Sequence, residues 1–204
     1  TITDKGAIAQ YYEDYKKGYT SRRDFIKKLA MFAGSTAAAI ALLPVIEENE
    51  AMAAVKPEGE IDIISEFIKY PAETGEMKAY LSRPKKGKKL PSVIVIHENR
   101  GLVPHIQDVT RRMAKEGFLA LAPDALSPVG GTPEDISNVS ALFKQLNNEQ
   151  TVKNFVAAVK YLRTQPKSNG KVGCTGFCWG GAMTNQVAVN SPELNAAVPY
   201  YGRQ

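Results

Sequence analysis

The chain has 204 residues, 44% hydrophobic and 23% charged, with a formal net charge of +5. This is the composition of a soluble globular protein, long enough for one domain with a sizeable core or one domain plus an appendage. Residues 1–53 hold seven basic and seven acidic side chains, so the whole positive excess lies beyond them. It is scattered or clustered briefly at Lys85, Lys86, Lys88 and Lys89, with no interleaved aromatics. That pattern argues against a nucleic-acid groove and leaves only a mild preference for anionic small molecules.

Residues 1–20 are polar and helix-prone, with Tyr11, Tyr12, Tyr15 and Tyr19 spaced for one helical face. Ser21-Arg22-Arg23-Asp24-Phe25-Ile26-Lys27 follows, then an Ala-rich apolar run from Leu29 to Ile46, closed by Ala51-Met52-Ala53. A basic region, an apolar region and a small-x-small site in that order form a secretory signal. The core of this one resembles a twin-arginine export signal. The expectation is an export signal and polar leader over 1–53, cleavage near Ala53, and a domain over 54–204 working in the periplasm or another extracytoplasmic space. The run is softened by small polar residues, so no stable membrane span is expected, only a partner in the export machinery.

Residues 61–82 alternate around a Gly-bearing turn at 71–76, which predicts a β-hairpin. Val93-Ile94-Val95-Ile96 is a short apolar run of the kind a doubly buried strand requires, and it ends in His97-Glu98-Asn99-Arg100-Gly101. Polar residues at the carboxyl end of a buried strand mark where open α/β sheets place their sites. Ile106, Val109 and Met113 recur at helical spacing up to Gly117, with Arg111 and Arg112 on the opposite face. Phe118 to Ala122 is another buried strand, closed by Pro123-Asp124, and 125–135 is a loop with Gly130-Gly131. A helix over Val152–Leu162 stops before Pro166. Strand and helix then alternate to a last strand over 196–202. An opening hairpin followed by this alternation predicts an α/β fold with a mostly parallel sheet flanked by helices.

The segment that carries chemistry is Gly176-Phe177-Cys178-Trp179-Gly180. Gly-x-Cys-x-Gly between a strand and a small-residue helix has the layout of a nucleophile elbow, with cysteine in place of serine. The glycines at 176 and 180 allow strand and helix to approach closely. The helix N-terminus favours both a thiolate and an oxyanion. A strand–turn–helix with a buried cysteine would read the same way in isolation. Cys174 is four strand residues away, about 13 Å, which is beyond disulfide reach and weakens a redox role. Two such thiols with only His97 and His105 elsewhere make a poor ligand set, so neither a metal nor a cofactor is expected.

The elbow, His97–Gly101 and Ala122-Pro123-Asp124-Ala125-Leu126 occur together and in order. Over 61–204 the chain resembles the dienelactone hydrolases, carboxymethylenebutenolidase-like proteins of the α/β-hydrolase fold. The resemblance implies Cys178 as nucleophile and Glu98 as the glutamate that contacts the thiol and helps form the thiolate when substrate binds. It implies the backbone N–H groups of Asn99 and Trp179 as the oxyanion hole, and hydrolysis of a small ester or lactone through an acyl-enzyme. Arg100, Arg111 and Arg112 are candidates to bind a substrate carboxylate, though solvated arginines are commoner.

The family's triad continues with Asp and then His after the nucleophile, yet residues 179–204 hold neither. The expectation is therefore the N-terminal two-thirds of the fold, cut from a longer protein. An exposed sheet edge after Tyr200-Tyr201-Gly202 favours that over a degenerate homologue. The competing reading is a non-catalytic binding module of the same fold. His97 should face away from Cys178 if Glu98 faces it, and His105 lies after a proline in a loop from which it could swing in.

Overall fold

The computed structural model describes residues 10–12, 14–15, 18–33, 36, 39 and 62–203. The chain divides into two compact units, Thr1–Ala54 and Val55–Gln204. In the first, helix α1 spans Arg22–Ala33. Ser21 caps it: its Oγ accepts the Asp24 N–H at 3.2 Å and donates to Asp24 Oδ2 at 2.7 Å. One face of α1 buries Phe25 and Leu29 with Tyr12, and the Phe25 ring stacks on Tyr15 at 5.3 Å. Tyr19 does not share that face. Gly18 turns the chain at φ 76, and Tyr19 is exposed. Most of the apolar run after Leu29, and Ala51-Met52-Ala53, lie outside the described residues. Among the described residues no helix is long and apolar enough to cross a membrane.

The second unit is built on one six-stranded sheet. In chain order its elements are β1 (Ile63–Ala72), β2 (Gly75–Pro84), β3 (Leu90–Ile96), α2 (Pro104–Lys115), β4 (Leu119–Pro123), α3 (Val139–Phe143), α4 (Asn148–Arg163), β5 (Ser168–Phe177), α5 (Trp179–Asn190) and β6 (Ala196–Tyr200). The strand order is β1-β2-β4-β3-β5-β6. The hairpin β1–β2 pairs Ala72 with Gly75 across a two-residue turn, and β2 runs antiparallel to β4. The pairs β4–β3, β3–β5 and β5–β6 are all parallel.

The two-residue period of the central strands divides the core. Ile94, Ile96, Leu119 and Leu121 face Phe155, Val159 and Leu162 of α4 and Met183 and Val187 of α5. Val95, Ala122 and Tyr80 face Ile106 of α2 on the other side. Continuous apolar runs in β3 and β4 are what burial on both faces demands.

The sheet's last strand differs from these. All five residues of β6 are exposed, Val198 at 50% and Tyr200 at 48%. Beside it an apolar groove of about 360 Å³ runs between Met113, Phe118, Val93, Ala196 and Val198.

Two further features depart from the periodic reading. Arg111 does not lie on a solvated face. It is buried, with Nη2 3.4 Å from Asp108 Oδ1 and Nη1 donating to the Tyr80 hydroxyl at 3.1 Å. Arg112 Nε meets the other Asp108 oxygen at 2.7 Å. The second departure is α3, a short helix within a stretch that the periodicity left unassigned.

Candidate active site

β5 delivers the chain to Cys178, and α5 begins at the next residue. Cys178 has φ 53 and ψ −113, a conformation that a non-glycine residue adopts at a cost of about 1–3 kcal/mol. The neighbouring glycines make the turn possible. A Cβ on Gly176 would run into the Gly180 carbonyl, and one on Gly180 into the carbonyl oxygens of Ile96 and His97. A Cβ on Gly181 would meet Tyr200 O at 2.5 Å. The third glycine thus sets the distance between α5 and β6. The Cys178 N–H donates to Tyr200 O at 3.1 Å, and its carbonyl accepts from Ala182 N at 3.1 Å. The residue is pinned through its backbone while its side chain stays exposed.

The second cysteine has a different environment. Cys174 is buried, with Sγ 3.7 Å from Thr184 Oγ1, and burial pushes its thiol up to about 12. Both cysteines are free.

Across the sheet, β3 ends at Ile96 and hands over to His97 and Glu98. His97 is fully buried. Its Nε2 accepts the Ala125 N–H at 3.0 Å, so the proton sits on Nδ1, which lies 2.6 Å from Glu98 O. The ring stacks on Trp179 at 5.6 Å, and Phe143 of α3 packs edge-on against both. Both ring nitrogens are therefore engaged within the fold. His97 braces the loop beside the elbow and is not a base for Cys178. His105 does not occupy a loop, as its position after Pro104 suggested. It lies in the first turn of α2, for which Pro104 supplies the opening residue.

Glu98 is half-buried, and its Oε1 accepts from the Tyr201 hydroxyl at 3.0 Å. Asn99 is exposed in the turn that follows, and Trp179 is half-buried at the start of α5. The first N–H groups of a helix have no intrahelical acceptor, so that of Trp179 is available to a ligand beside Cys178. Arg100 belongs to the same loop as Glu98. Arg111 and Arg112 are committed to Asp108, and the burial of Arg111 removes it from the substrate-binding candidates.

The loop carrying Glu98 and Asn99 is held by Asp124, which the sequence marked only as part of a strand-end motif. Asp124 Oδ1 accepts from Leu126 N and Thr132 Oγ1, and Oδ2 from Thr132 N at 2.7 Å. Thr132 Oγ1 in turn accepts the Leu102 N–H at 2.8 Å. Gly101, at φ 82, leaves no space for a Cβ against Thr132. Among the described residues, no three His, Cys, Asp or Glu side chains converge to hold a metal ion.

The sequence model of the dienelactone hydrolase family matches residues 77–204. The chain belongs to the dienelactone hydrolase family. It is 35% identical over 145 residues to a provisionally named carboxymethylenebutenolidase of Methylorubrum extorquens, covering 69% of this chain and 50% of that one. A provisionally named hydrolase fragment of Escherichia coli K12 is 48% identical over 98 residues, 47% of this chain and 84% of the fragment. Among solved structures, a provisionally named dienelactone hydrolase from Klebsiella pneumoniae superposes with a TM-score of 0.63 at 34% identity, over 69% of this chain and 60% of that one. The chain spans about half the length of the carboxymethylenebutenolidases it matches. The mostly parallel sheet flanked by helices is the α/β-hydrolase architecture of these relatives.

In this dienelactone hydrolase family member, the brace at His97 has a pH signature. Burial holds its imidazole below the ordinary 6.5, so the folded state keeps it neutral. As pH falls below about 6.5 the unfolded chain binds more protons than the folded one. Stability is therefore full above that value and lost as pH falls toward the folded pKa, by at most about 1.4 kcal/mol per pH unit. The urea midpoint should drop between pH 7 and 5.5 in the wild type, and less in His97→Gln, which keeps an acceptor for Ala125 N. Equal slopes in the two proteins would contradict a neutral buried imidazole.

Proposed function

We propose that this chain carries the nucleophile half of a cysteine hydrolase acting on small carboxylic esters or lactones. The observation that carries the reading is an exposed thiol at φ 53 on the strand-to-helix corner, beside a glutamate-bearing loop. In the proposed reaction Glu98 takes the Cys178 proton and the thiolate attacks the substrate carbonyl. The tetrahedral oxyanion accepts hydrogen bonds from the backbone N–H groups of Asn99 and Trp179, each worth about 3–4 kcal/mol of barrier. Collapse expels the alkoxide, which takes the proton back from Glu98 and leaves as the alcohol, and a thioester remains at Cys178. Water then hydrolyses the thioester to the acid and frees the thiol. Residues 179–204 hold neither Asp nor His, so on this reading the chain supplies the nucleophile, its proton acceptor and the oxyanion donors and no further catalytic group.

Alkylation tests the nucleophile directly. Iodoacetamide near neutral pH should label Cys178 rapidly and leave Cys174 unmodified, because Cys174 is buried with its thiol raised to about 12. Peptide mapping that finds both cysteines equally slow would remove the basis for an activated thiol.

The basic and apolar leader supports export through a twin-arginine route, with cleavage near Ala53. Arg22 and Arg23 open α1 and are exposed, as a recognition signal requires. Sequencing of the exported protein should find a new N-terminus near Ala54. Retention of the intact leader in the cytoplasm would exclude this route.

A further inference from the structure

Tyr201 stands out for its backbone geometry and its exposure. It is a non-glycine residue at φ 40, and it is 71% exposed. Strain is kept where surrounding contacts impose it, and here they do so from both sides. On one side Tyr200 O receives the Cys178 N–H. On the other, Gly202 lies so close to the backbone of Gly181 and Ala182 that it has no space for a Cβ. Phe177, the residue before the nucleophile, stacks on Tyr200 at 5.1 Å and leans on Tyr201 at 6.5 Å. The chain is thereby bent so that the Tyr201 hydroxyl reaches Glu98 Oε1 at 3.0 Å.

We propose that Tyr201 is a positioning residue that fixes the Glu98 carboxylate for proton transfer from Cys178. The inference rests on the cysteine-hydrolase reading given above. A free glutamate side chain samples many rotamers, and fixing one of them before reaction removes that entropy from the barrier. The phenol hydrogen engages Oε1, so the less engaged Oε2 is taken as the acceptor. The proton then passes from Cys178 Sγ to Glu98 Oε2, giving a thiolate and a carboxylic acid. Tyr201 itself neither gains nor loses a proton.

The test is a double-mutant cycle on the full-length protein, read as the rate of iodoacetamide alkylation at Cys178 near neutral pH. Tyr201→Phe removes one hydroxyl and keeps the ring against Phe177, and far-ultraviolet circular dichroism checks the fold. Alkylation should slow by about five- to tenfold in Tyr201→Phe. In a Glu98→Gln background the same substitution should change the rate by less than about twofold. For ester turnover, Tyr201→Phe should lower kcat with KM unchanged. An unchanged or faster rate in the single mutant overturns the proposal. So does equal slowing in both backgrounds, which would mean that Tyr201 acts through β6 rather than through the carboxylate. These outcomes differ from a failure of the hydrolase reading, which would appear as ester turnover surviving Cys178→Ala.

Discussion

Replacing Cys178 by alanine in the full-length protein is expected to lower kcat for a p-nitrophenyl ester by about 10⁴-fold or more. On the proposed mechanism the substitution removes the atom that would form the acyl-enzyme and leaves the proposed oxyanion donors of the loop and helix in place. What survives should be the modest rate that binding and backbone donors give without a nucleophile. The fold should be untouched, since the Cys178 side chain is exposed and its structural role runs through the backbone bonds to Tyr200 and Ala182. Cys178→Gly sharpens the point. Glycine occupies φ 53 without strain, so this variant should be at least as stable as the wild type while equally inactive. Undiminished hydrolysis by the alanine variant would refute a cysteine nucleophile.

Gly180→Ala is expected to cost about 3–5 kcal/mol, enough to unfold many domains of this size. Its Cβ would collide with the carbonyl oxygens of Ile96 and His97, which are backbone atoms of the central sheet and its outgoing loop. Backbone cannot rotate away as a side chain can, so α5 would have to lift from β3. Gly117→Ala is the control. Gly117 has φ 92, but its Cβ would meet nothing within 4 Å. Only the conformational penalty remains there, about 1–2 kcal/mol. Urea midpoints for the two variants separate crowding from backbone conformation. Similar losses at 180 and 117 would show that the close approach at the elbow is not what selects glycine.

The central sheet was legible because burial on both faces leaves a plain mark, as in Val93 to Ile96 and Leu119 to Ala122. The elbow was legible for a related reason: two glycines around one cysteine record a close approach that few other local structures need. Arg111 was misread because helical periodicity shows which face is polar and not whether that face is covered. Asp108, one turn away, makes its burial tolerable. His105 was misplaced because a proline that opens a helix looks in sequence like one that belongs to a loop. The tie from Tyr201 to Glu98 joins residues distant in sequence, and nothing local announces it. The same holds for Asp124, whose bonds to Thr132 and Leu126 organise the loop carrying Asn99.

The anchoring of Cys178 to Tyr200 bears on when the site comes into being. Neither the elbow strand nor the following helix can impose the corner by itself, because the restraint comes from β6 and from the carbonyls at the end of β3. Pairing of β6 with β5 is therefore a condition for Cys178 to reach the backbone conformation it has here. During biosynthesis the proposed nucleophile would acquire its geometry only after β6 has paired beside β5 and α5 has seated against the end of β3.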